Sequence, residues 1–370
     1  MEPIKVGIIG CGNISSIYLE NASRFSSFSI EAVADINRGR AEQQAEKYGI
    51  DRVLSVEELI RDEEIELVLN LTIPAVHAEI ALAALSAGKH VYGEKPLAIT
   101  LDEGKQILEL AKAKGLLVGN APDTFLGGAH QTARSIIEAG RIGTPISATA
   151  FMMNHGHEHW HPDPHFYYQE GAGPMFDMGP YYLTALVNMM GPAKRVTGST
   201  GMAYQERRIS SQPLAGESII VKTPTQINGI IDFTSGAVAS IITSFDTWHH
   251  RLPHIEIYGT EGSLSVPDPN QFGGDVFVRG EKDEEWNFVP SQYGHTDNSR
   301  GVGLADMAAA ILEGRTPRAS GDLSYHVLEM MHGFHYASER GEHYKMTSSC
   351  TKPQISLREE TSSTGLEGDK

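Results

Sequence analysis

The first part of the chain alternates short apolar runs with longer segments of mixed polarity. Continuous apolar, β-branched runs are typical of strands buried on both faces. Capping-box patterns at Ser55 and Thr100 and glycines after the segments mark helix starts and ends. The predicted strands lie at 4–9, 29–34, 67–71, 90–93 and 116–119, and the predicted helices begin near 17, 40, 55, 75 and 101. This alternation predicts an α/β domain with a doubly wound parallel sheet over residues 1–121.

The pattern changes after residue 121. One helix at 128–139 is followed mainly by strands, at 146–153, 195–200, 218–222, 225–233, 237–245, 254–258 and 263–266, and then by helices at 304–313 and 322–339. Short turns between consecutive strands favour antiparallel pairing. We therefore predict a second, α+β domain over residues 122–350, built on a large open, mostly antiparallel sheet. Residues 351–370 are polar and rich in Ser, Thr and Glu, which predicts a disordered tail.

Composition narrows the class of partner. The 370 residues carry a formal net charge of −17, which argues against nucleic acid or an anionic membrane as a partner. The sequence has no apolar run long enough to span a bilayer and no secretory signal pattern. The chain has only two cysteines, and a reducing, cytoplasmic location fits that content.

A glycine-rich turn follows the first predicted strand. It reads Gly10-x-Gly12-x-x-Ser15, with Asn13 and Ile14 inside the turn and a predicted helix after it. Gly10 permits the tight turn, Gly12 lets the backbone approach a phosphate, and the helix N-terminus offers free N–H groups to an anion. Ser15 replaces the usual third glycine but is small. The stretch predicts a dinucleotide site; the alternative is a βαβ turn with no ligand.

The second predicted strand ends at Asp35, 25 positions after Gly10. An acid near this place accepts hydrogen bonds from the adenosine ribose and repels a 2′-phosphate, so NAD is favoured as the cofactor. Arg38 keeps NADP open, because a nearby guanidinium is able to pair with that phosphate.

Several candidate residues lie at the carboxyl ends of predicted parallel strands. Ligands bind beyond these ends in doubly wound sheets. The residues expected along this rim are Gly10, Asp35, Thr72, Glu94 and Asn120.

The sequence Glu94-Lys95-Pro96 follows the predicted parallel strand at 90–93 directly. A lysine on the cofactor rim with a lowered pKa would serve as an acid or base near neutral pH. The alternative, a surface lysine at a strand end, is equally compatible with the residues alone.

Four motifs in order resemble the Gfo/Idh/MocA family of oxidoreductases. They are the glycine turn, residues 72–77, Glu94-Lys95-Pro96 and the Asp-x-Gly stretch at 171–181. The resemblance covers roughly residues 1–350 and implies the two domains described above. It also implies an NAD(P)-dependent enzyme acting on sugars, cyclitols or related alcohols, assembled as a homodimer or homotetramer through the large sheet.

The resemblance also suggests catalytic roles. Lys95 would hydrogen-bond the reacting oxygen and take part in proton transfer, and Asp177 would bind the neighbouring hydroxyl. The position four residues after the aspartate is often His in the family and here is Tyr181, as in some of its members. Either Lys95 or Tyr181 is then the principal base. The alternative for Asp177 is an N-cap of a helix at 178–190.

The same resemblance places the end of the predicted strand at 67–71 beside the nicotinamide. Thr72, Pro74 and His77 would contact the cofactor there, together with Glu94, Lys95 and Asn120. For His77 the alternative is a histidine on a helix surface.

The run at 155–165 contains five histidines. In an extended strand four of them would share one face, which raises the possibility of a metal site. No cysteine or standard ligand spacing supports it, so we favour a sugar pocket in which Trp160 stacks on a ring and His161 donates hydrogen bonds. Asp123 is a further candidate to face the substrate. Residues 295–300 are polar and form either a pocket wall or a helix cap.

The sequence as a whole predicts an NAD(P)-dependent dehydrogenase for a sugar, sugar derivative or cyclitol. Three alternatives stay open: a redox-neutral, NAD-dependent glycosidase of the same family, a non-enzymatic dinucleotide or sugar sensor, and a metal-binding protein that uses the histidine run. Net formation of NADH distinguishes the dehydrogenase from the first two, and elemental analysis tests the third.

Overall fold

The structure is a computed structural model that describes residues 2–355. The first domain is a parallel sheet covered by helices on both sides. Its elements are β1 (Ile4–Ile9), α1 (Ser15–Ala22), β2 (Phe28–Ala34), α2 (Arg38–Tyr48), β3 (Arg52–Leu54), α3 (Val56–Arg61), β4 (Leu67–Asn70), α4 (His77–Ser86), β5 (His90–Gly93), α5 (Leu101–Lys114) and β6 (Val118–Asn120). The strand order is β3-β2-β1-β4-β5-β6. The predicted doubly wound parallel sheet is thus confirmed.

The strand order fixes where a ligand would bind. β1 pairs with β2 on one side and with β4 on the other, so the winding direction reverses beside β1. The crevice beyond the carboxyl ends of the strands at this reversal is the usual ligand site of such sheets. The glycine turn follows β1 directly, which places it at that crevice.

Local signals set the helix ends. The capping boxes at Ser55 and Thr100 are both formed, with each side chain accepting from the backbone N–H of the third helical residue. Helices α2 and α5 end at Gly49 and Gly115, whose φ values of 68° and 66° suit glycine.

The second domain is built on a large mixed sheet. Its elements are α6 (Gly128–Glu138), β7 (Pro145–Met153), α7 (Pro174–Met190), β8 (Ala193–Gly201), β9 (Glu206–Arg208), β10 (Ser218–Ile220), β11 (Gln226–Phe233), β12 (Val238–Ser244), β13 (Ile255–Gly259), β14 (Gly262–Val266), β15 (Val276–Gly280), β16 (Asn287–Val289), α8 (Val302–Glu313), α9 (Gly321–Arg340) and β17 (Tyr344–Lys345). The order is β16-β15-β14-β13-β7-β12-β11-β8-β17, and among the described strands of this sheet only β7 and β12 pair in parallel. The predicted, mostly antiparallel sheet is confirmed. The predicted strand at 218–222 lies outside this sheet, because β10 pairs with β9 in a separate hairpin.

The large sheet is covered on one face. Helices α6, α7 and α9 pack there. At some positions a helix lies so close to a strand that there is no room for a side chain between them. A Cβ atom on Gly229 of β11 would lie 2.4 Å from the ring of Phe334 in α9. On the opposite face, positions 228 and 230 of β11 and 238 and 240 of β12 are exposed.

The late helices also join the two domains. Helix α9 packs against α5 and β6, and the Asn120 N–H donates to the carbonyl oxygen of Ala319 at 3.0 Å. Residues 351–355, the start of the predicted tail, lie on the domain surface, where the Arg318 Nε donates to the carbonyl oxygen of Gln354 at 3.1 Å. The rest of the predicted tail lies outside the described residues. None of the helices in residues 2–355 is both long and apolar enough to cross a membrane.

Candidate active site

The glycine turn leaves an open cradle at the helix N-terminus. Gly10 has φ = 102°, and a Cβ there would lie 2.6 Å from the backbone of Leu71. A Cβ on Gly12 would meet no protein atom within 4 Å, so this glycine faces open space. The Ser15 Oγ donates to the Gly12 carbonyl oxygen at 2.6 Å and closes the turn. Exposed Asn13 and half-buried Ile14 complete the loop. The open space beside Gly12 fits a pyrophosphate. Ser15 stands in the place of the usual third glycine and stabilises the turn through its hydrogen bond to Gly12.

The carboxylate of Asp35 is fixed beside this cradle. It accepts hydrogen bonds from the backbone N–H groups of Cys11 at 2.8 Å and Asn37 at 2.7 Å. Its side chain is partly exposed and keeps further acceptor capacity. Arg38 instead bonds Glu42 on its own helix at 2.9 Å. The geometry presents an acceptor, rather than a guanidinium, at this end of the crevice.

His77 does not face the crevice, contrary to the expectation of a cofactor contact. Its side chain is buried, with Nδ1 2.7 Å from the carbonyl oxygen of Pro96 and Nε2 3.0 Å from that of Thr72. The buried ring connects the loop after β4 to the loop after β5. Pro74, in the first of these loops, is exposed on the rim. The Thr72 hydroxyl donates to Asn70 Oδ1 at 2.6 Å, which fixes the first of these loops.

Asn120 is also a support rather than a surface ligand. It is 3% exposed, and its Nδ2 donates to the carbonyl oxygens of Gly93 and Glu94, each at 2.8 Å. Its side chain therefore holds the backbone on which Glu94 and Lys95 are mounted. The predicted direct contact with a cofactor does not agree with this burial.

Lys95 and Asp177 form an ion pair between the two domains. The Lys95 Nζ donates to the Asp177 backbone oxygen at 2.6 Å and to its Oδ1 at 3.1 Å, and both side chains are mostly buried. Burial alone would favour the neutral forms, but the carboxylate raises the pKa of Lys95, and the ammonium lowers the pKa of Asp177 to about 2. Lys95 is therefore a permanent cation near neutral pH, which contradicts the lowered lysine pKa expected from its place on the rim.

Asp177 lies in the first turn of α7 and is not its N-cap. The helix begins one turn earlier, with Gly173 as the N-cap at φ = 88° and Pro174 as the first residue. Tyr181 follows Asp177 by four residues, so both project from the same side of α7. The Lys95 Nζ lies 5.3 Å from the Tyr181 ring centroid. The structure thus brings the three predicted catalytic residues together.

Arg300 joins this group, although the sequence marks only a polar stretch there. Its Nη2 donates to the Tyr181 Oη at 3.3 Å, and its Nε lies 3.8 Å from the Oε1 of Glu94. That same Oε1 accepts from the Tyr18 hydroxyl at 2.9 Å. Burial raises the pKa of Tyr181, while the cations of Lys95 and Arg300 oppose this rise. No local motif signals Arg300, since it lies 119 positions from Tyr181.

The histidine run forms bends and turns instead of a strand, so its members point in different directions. His157 is buried and faces Asp177, with Nε2 3.5 Å from Oδ2, and its ring stacks on Tyr167 at 3.7 Å. His155 stacks on Trp248 instead. Within residues 2–355 no group of three or more His, Cys, Asp or Glu side chains is arranged to hold a metal ion. This run was predicted to line a sugar pocket, but no sequence signal distinguishes His157 from its other histidines.

The two candidates for sugar contacts lie beside His157. Trp160 is 57% exposed, with its ring centroid 5.4 Å from that of His157. His161 packs edge-on against Tyr167 at 5.3 Å, and its Nδ1 accepts from the Asp163 N–H at 3.1 Å. Trp160 is thus open to a ligand, whereas one nitrogen of His161 holds the loop.

Asp123, expected to face substrate, is 1% exposed and does not. Its Oδ2 accepts from the backbone N–H groups of Gly301 at 3.0 Å and Gly303 at 3.1 Å, at the start of α8. From the other side, the Asn21 side chain in α1 donates to the backbone oxygen of Arg300 at 2.9 Å. The stretch at 297–303 is therefore a fixed strap that carries Arg300 to the site.

Comparison with known proteins agrees with this architecture. A family model described as "Oxidoreductase family, NAD-binding Rossmann fold" matches residues 4–121, and one described as "GFO/IDH/MocA C-terminal domain" matches residues 130–265. Among curated relatives, 1,5-anhydro-D-fructose reductase from Ensifer adhaerens is 29% identical, over 70% of this chain and 74% of that protein. Myo-inositol 2-dehydrogenase from Thermotoga maritima is 23% identical over the same shares.

Solved structures show the same fold over nearly the whole chain. A levoglucosan dehydrogenase in complex with NADH and levoglucosan has a TM-score of 0.80 at 22% identity, covering 94% of this chain and 100% of that one. An NAD binding oxidoreductase from Klebsiella pneumoniae has a TM-score of 0.82 at 20% identity, with the same coverage. This chain belongs to the Gfo/Idh/MocA oxidoreductase family, with its NAD-binding Rossmann fold.

The two glycines of the turn separate folding from cofactor binding. We expect Gly12→Val to keep a melting temperature close to that of the wild type, because a Cβ there meets no protein atom within 4 Å, and to weaken NAD binding at least ~100-fold by filling the cradle. Gly10→Ala is the matched variant. It forces a Cβ against backbone at a left-handed φ and should lower the free energy of unfolding by about 1–3 kcal/mol. Calorimetry and an NAD titration measure both effects; normal NAD binding by Gly12→Val would contradict the assignment.

Proposed function

We propose that this protein is an NAD-dependent dehydrogenase that oxidises a carbinol of a sugar, sugar derivative or cyclitol. The observation that carries the proposal is the meeting of Lys95, Asp177 and Tyr181 at the carboxyl end of β5, beside the glycine cradle. The relatives named for anhydrofructose, inositol and levoglucosan support a polyhydroxylated substrate.

The residues present fit a dinucleotide laid across the crevice. Gly10 to Ile14 would hold the pyrophosphate, and Asp35 the adenosine ribose. The nicotinamide would then lie toward β4 and β5, near Thr72, Pro74 and Glu94. A bound nicotinamide supplies the hydride acceptor of the reaction. The fixed carboxylate of Asp35, with Arg38 paired elsewhere, supports NAD over NADP.

Lys95 and Asp177 would bind the substrate as a fixed pair of charges. The Lys95 ammonium is placed to donate to the reacting oxygen, which carries more negative charge as the transition state develops. The Asp177 carboxylate, ionised at any pH well above 2, is placed to accept from the neighbouring hydroxyl. His157 beside its Oδ2 would hold the carboxylate in this orientation.

Tyr181 is the better candidate for the proton acceptor. The Asp177 carboxylate favours the protonated form of Lys95, whereas the cations of Lys95 and Arg300 favour the deprotonated form of Tyr181. The Tyr181 oxygen accepts from Arg300 and keeps its own O–H for the cleft. On oxidation the alcohol proton would pass to a Tyr181 phenolate, which the guanidinium of Arg300 and the ammonium of Lys95 stabilise. On reduction the neutral phenol would return it.

The simplest test mixes purified protein with NAD or NADP and a panel of sugars, inositols and glycosides, and follows NADH absorbance. We expect turnover with NAD and one class of polyol. Lys95→Met should lower kcat/KM at least ~100-fold, because it removes the charge beside the developing oxyanion, while the Kd for NAD stays within about threefold. Consumption of a glycoside without net NADH would indicate the redox-neutral glycosidase, and binding of cofactor and sugar without turnover would indicate the sensor.

The roles of Tyr181 and Arg300 predict a pH dependence. Because the pKa of Tyr181 is raised, the oxidation rate should climb with pH on the alkaline side as the phenolate forms. This rise is the alkaline limb of the pH–rate profile. Arg300→Gln removes a cation that favours the phenolate and should move this limb at least ~1 pH unit higher, whereas Arg300→Lys restores part of the shift.

Arg24→Gln is the control for that experiment. Arg24 pairs with Asp297 on the same strap at 2.9 Å and is not among the Tyr181 contacts described, so its loss should leave the limb in place. Tyr181→Phe should remove the limb along with most of kcat. An unshifted limb in Arg300→Gln would show that another group accepts the proton.

We also propose that the chain assembles through the uncovered face of the large sheet. The outward side chains of β7, β11 and β12 include Phe151, Ile230, Val238 and Ile242, with small hydroxyl residues between them. Exposed apolar surface of this kind marks an interaction site.

We expect a homodimer or homotetramer in light scattering after size-exclusion chromatography. Ile230→Arg, which puts a charge on the uncovered face, should shift it toward monomer with little loss of melting temperature of the isolated subunit. Lys112→Glu, an exposed change on α5 away from this face, is the control. A monomeric wild type would contradict the proposal.

A further inference from the structure

A large pocket lies beside the loop that carries His157, away from the three proposed catalytic residues. Its volume is about 570 Å³, within the ~300–1,000 Å³ typical of small-molecule sites. Its lining includes His155, Glu158, Tyr204, Arg207 and Trp248 and contains none of the three proposed catalytic residues. The loop at 154–161 therefore presents His157 to Asp177 and His155 to this pocket.

Two exposed aromatic rings form the walls of this pocket. Trp248 is 67% exposed, and one side is fixed by stacking on His155, with ring centroids 3.4 Å apart and planes 15° apart. Tyr204 is 43% exposed and meets the same imidazole edge-on at 6.0 Å. An indole backed by another ring and open to solvent is a stacking platform for the apolar face of a ligand ring.

The floor of the pocket is rigid. Arg207 is 4% exposed and donates to the Glu158 carboxylate, to the Asp246 carboxylate and to the Phe245 backbone oxygen. Its guanidinium lies 5.2 Å from the centre of the Tyr204 ring. A buried guanidinium that meets two carboxylates and a carbonyl holds the wall in place before any ligand arrives.

The polar rim indicates an uncharged ligand. Exposed Glu206 and Arg208 carry opposite charges, and the charges of Glu158 and Arg207 oppose each other beneath them. Burial, together with the Arg207 cation, lowers the pKa of His155, which is therefore a neutral ring at pH 7. A pocket without a surplus of either sign, offering donors and acceptors around an aromatic platform, does not select for phosphate or carboxylate. It matches the alternating hydroxyls and the apolar face of a sugar ring.

We propose that this pocket is a second binding site for a neutral saccharide, separate from the active site, in which Trp248 stacks on the sugar ring and the rim side chains bond its hydroxyls. The site needs no cofactor and no turnover. The proposal therefore stands or falls independently of the dehydrogenase activity.

The test is a titration of the full-length protein, without cofactor, by maltose and by methyl β-D-glucopyranoside, followed by calorimetry and saturation-transfer NMR. We expect saturable binding with a Kd in the millimolar range, about −4 kcal/mol. Trp248→Ala should weaken it at least ~10-fold and Trp248→Phe by less, since a phenyl ring keeps part of the platform. Melting temperatures of both variants verify that they fold.

Two further variants locate the bound sugar. Asp177→Asn disturbs the active site, and Trp160→Ala removes the exposed indole of the loop at 154–161; both should retain binding in the pocket beside Trp248 within about threefold. Loss of binding in Asp177→Asn with retention in Trp248→Ala would place the sugar in the active site and overturn the proposal. Absence of saturable binding by both probes, or burial of the pocket against a partner subunit, would overturn it as well.

Discussion

The ion pair of Lys95 and Asp177 is the contact on which the site depends. It joins the end of β5 in one domain to the first turn of α7 in the other, with little solvent around either group. Removing one member of a mostly buried pair leaves the other charge without compensation, which is far more costly than the net worth of the pair. The relative position of the domains and the charge state of the site are therefore set by the same contact.

Around this pair the protein places charges that a hydrophobic core would exclude. Glu94 and Arg300 lie beneath Tyr181, and the strap at 297–303 is held by Asp123 and Asn21 rather than by apolar packing. Fixed charges and dipoles in a region of low solvent exposure stabilise developing charge without having to reorganise. The polar strap thus serves the chemistry more directly than the fold, since it delivers a guanidinium to the phenol oxygen.

The sequence predicts those parts of the site that depend on local geometry. The glycine turn, Asp35 and Lys95 each follow a strand, and the carboxyl ends of parallel strands meet at one edge wherever the sheet forms. Arg300 and His157 depend on contacts between distant segments, which no periodicity encodes. His77, Asn120 and Asp123 show the converse failure. Their types suggest ligand contacts, but unpaired backbone groups nearby required partners and turned these side chains inward.

Most of the strands that the sequence did not predict are short, although the apolar segment of β15, Val276 to Val278, was missed as well. Two of the missed strands, β9 and β16, have only three residues each and are bounded by polar turns, and β17 has two. Such short segments become strands because a neighbour offers a hydrogen-bonding edge. Their presence is a property of the assembled sheet.

The bridge made by His77 has a mechanical consequence. The loops after β4 and β5 belong to different crossovers, yet one imidazole contacts a carbonyl oxygen of each. A displacement of either loop would disturb a buried contact of this ring, so the imidazole couples the position of one loop to that of the other. On the other side of the crevice, the loop at 154–161 carries the exposed side chains of His159 and Trp160 and is the part that is freer to adjust. The buried ring of His77 thus contributes to the stiffness of one side of the crevice by bridging two of its loops.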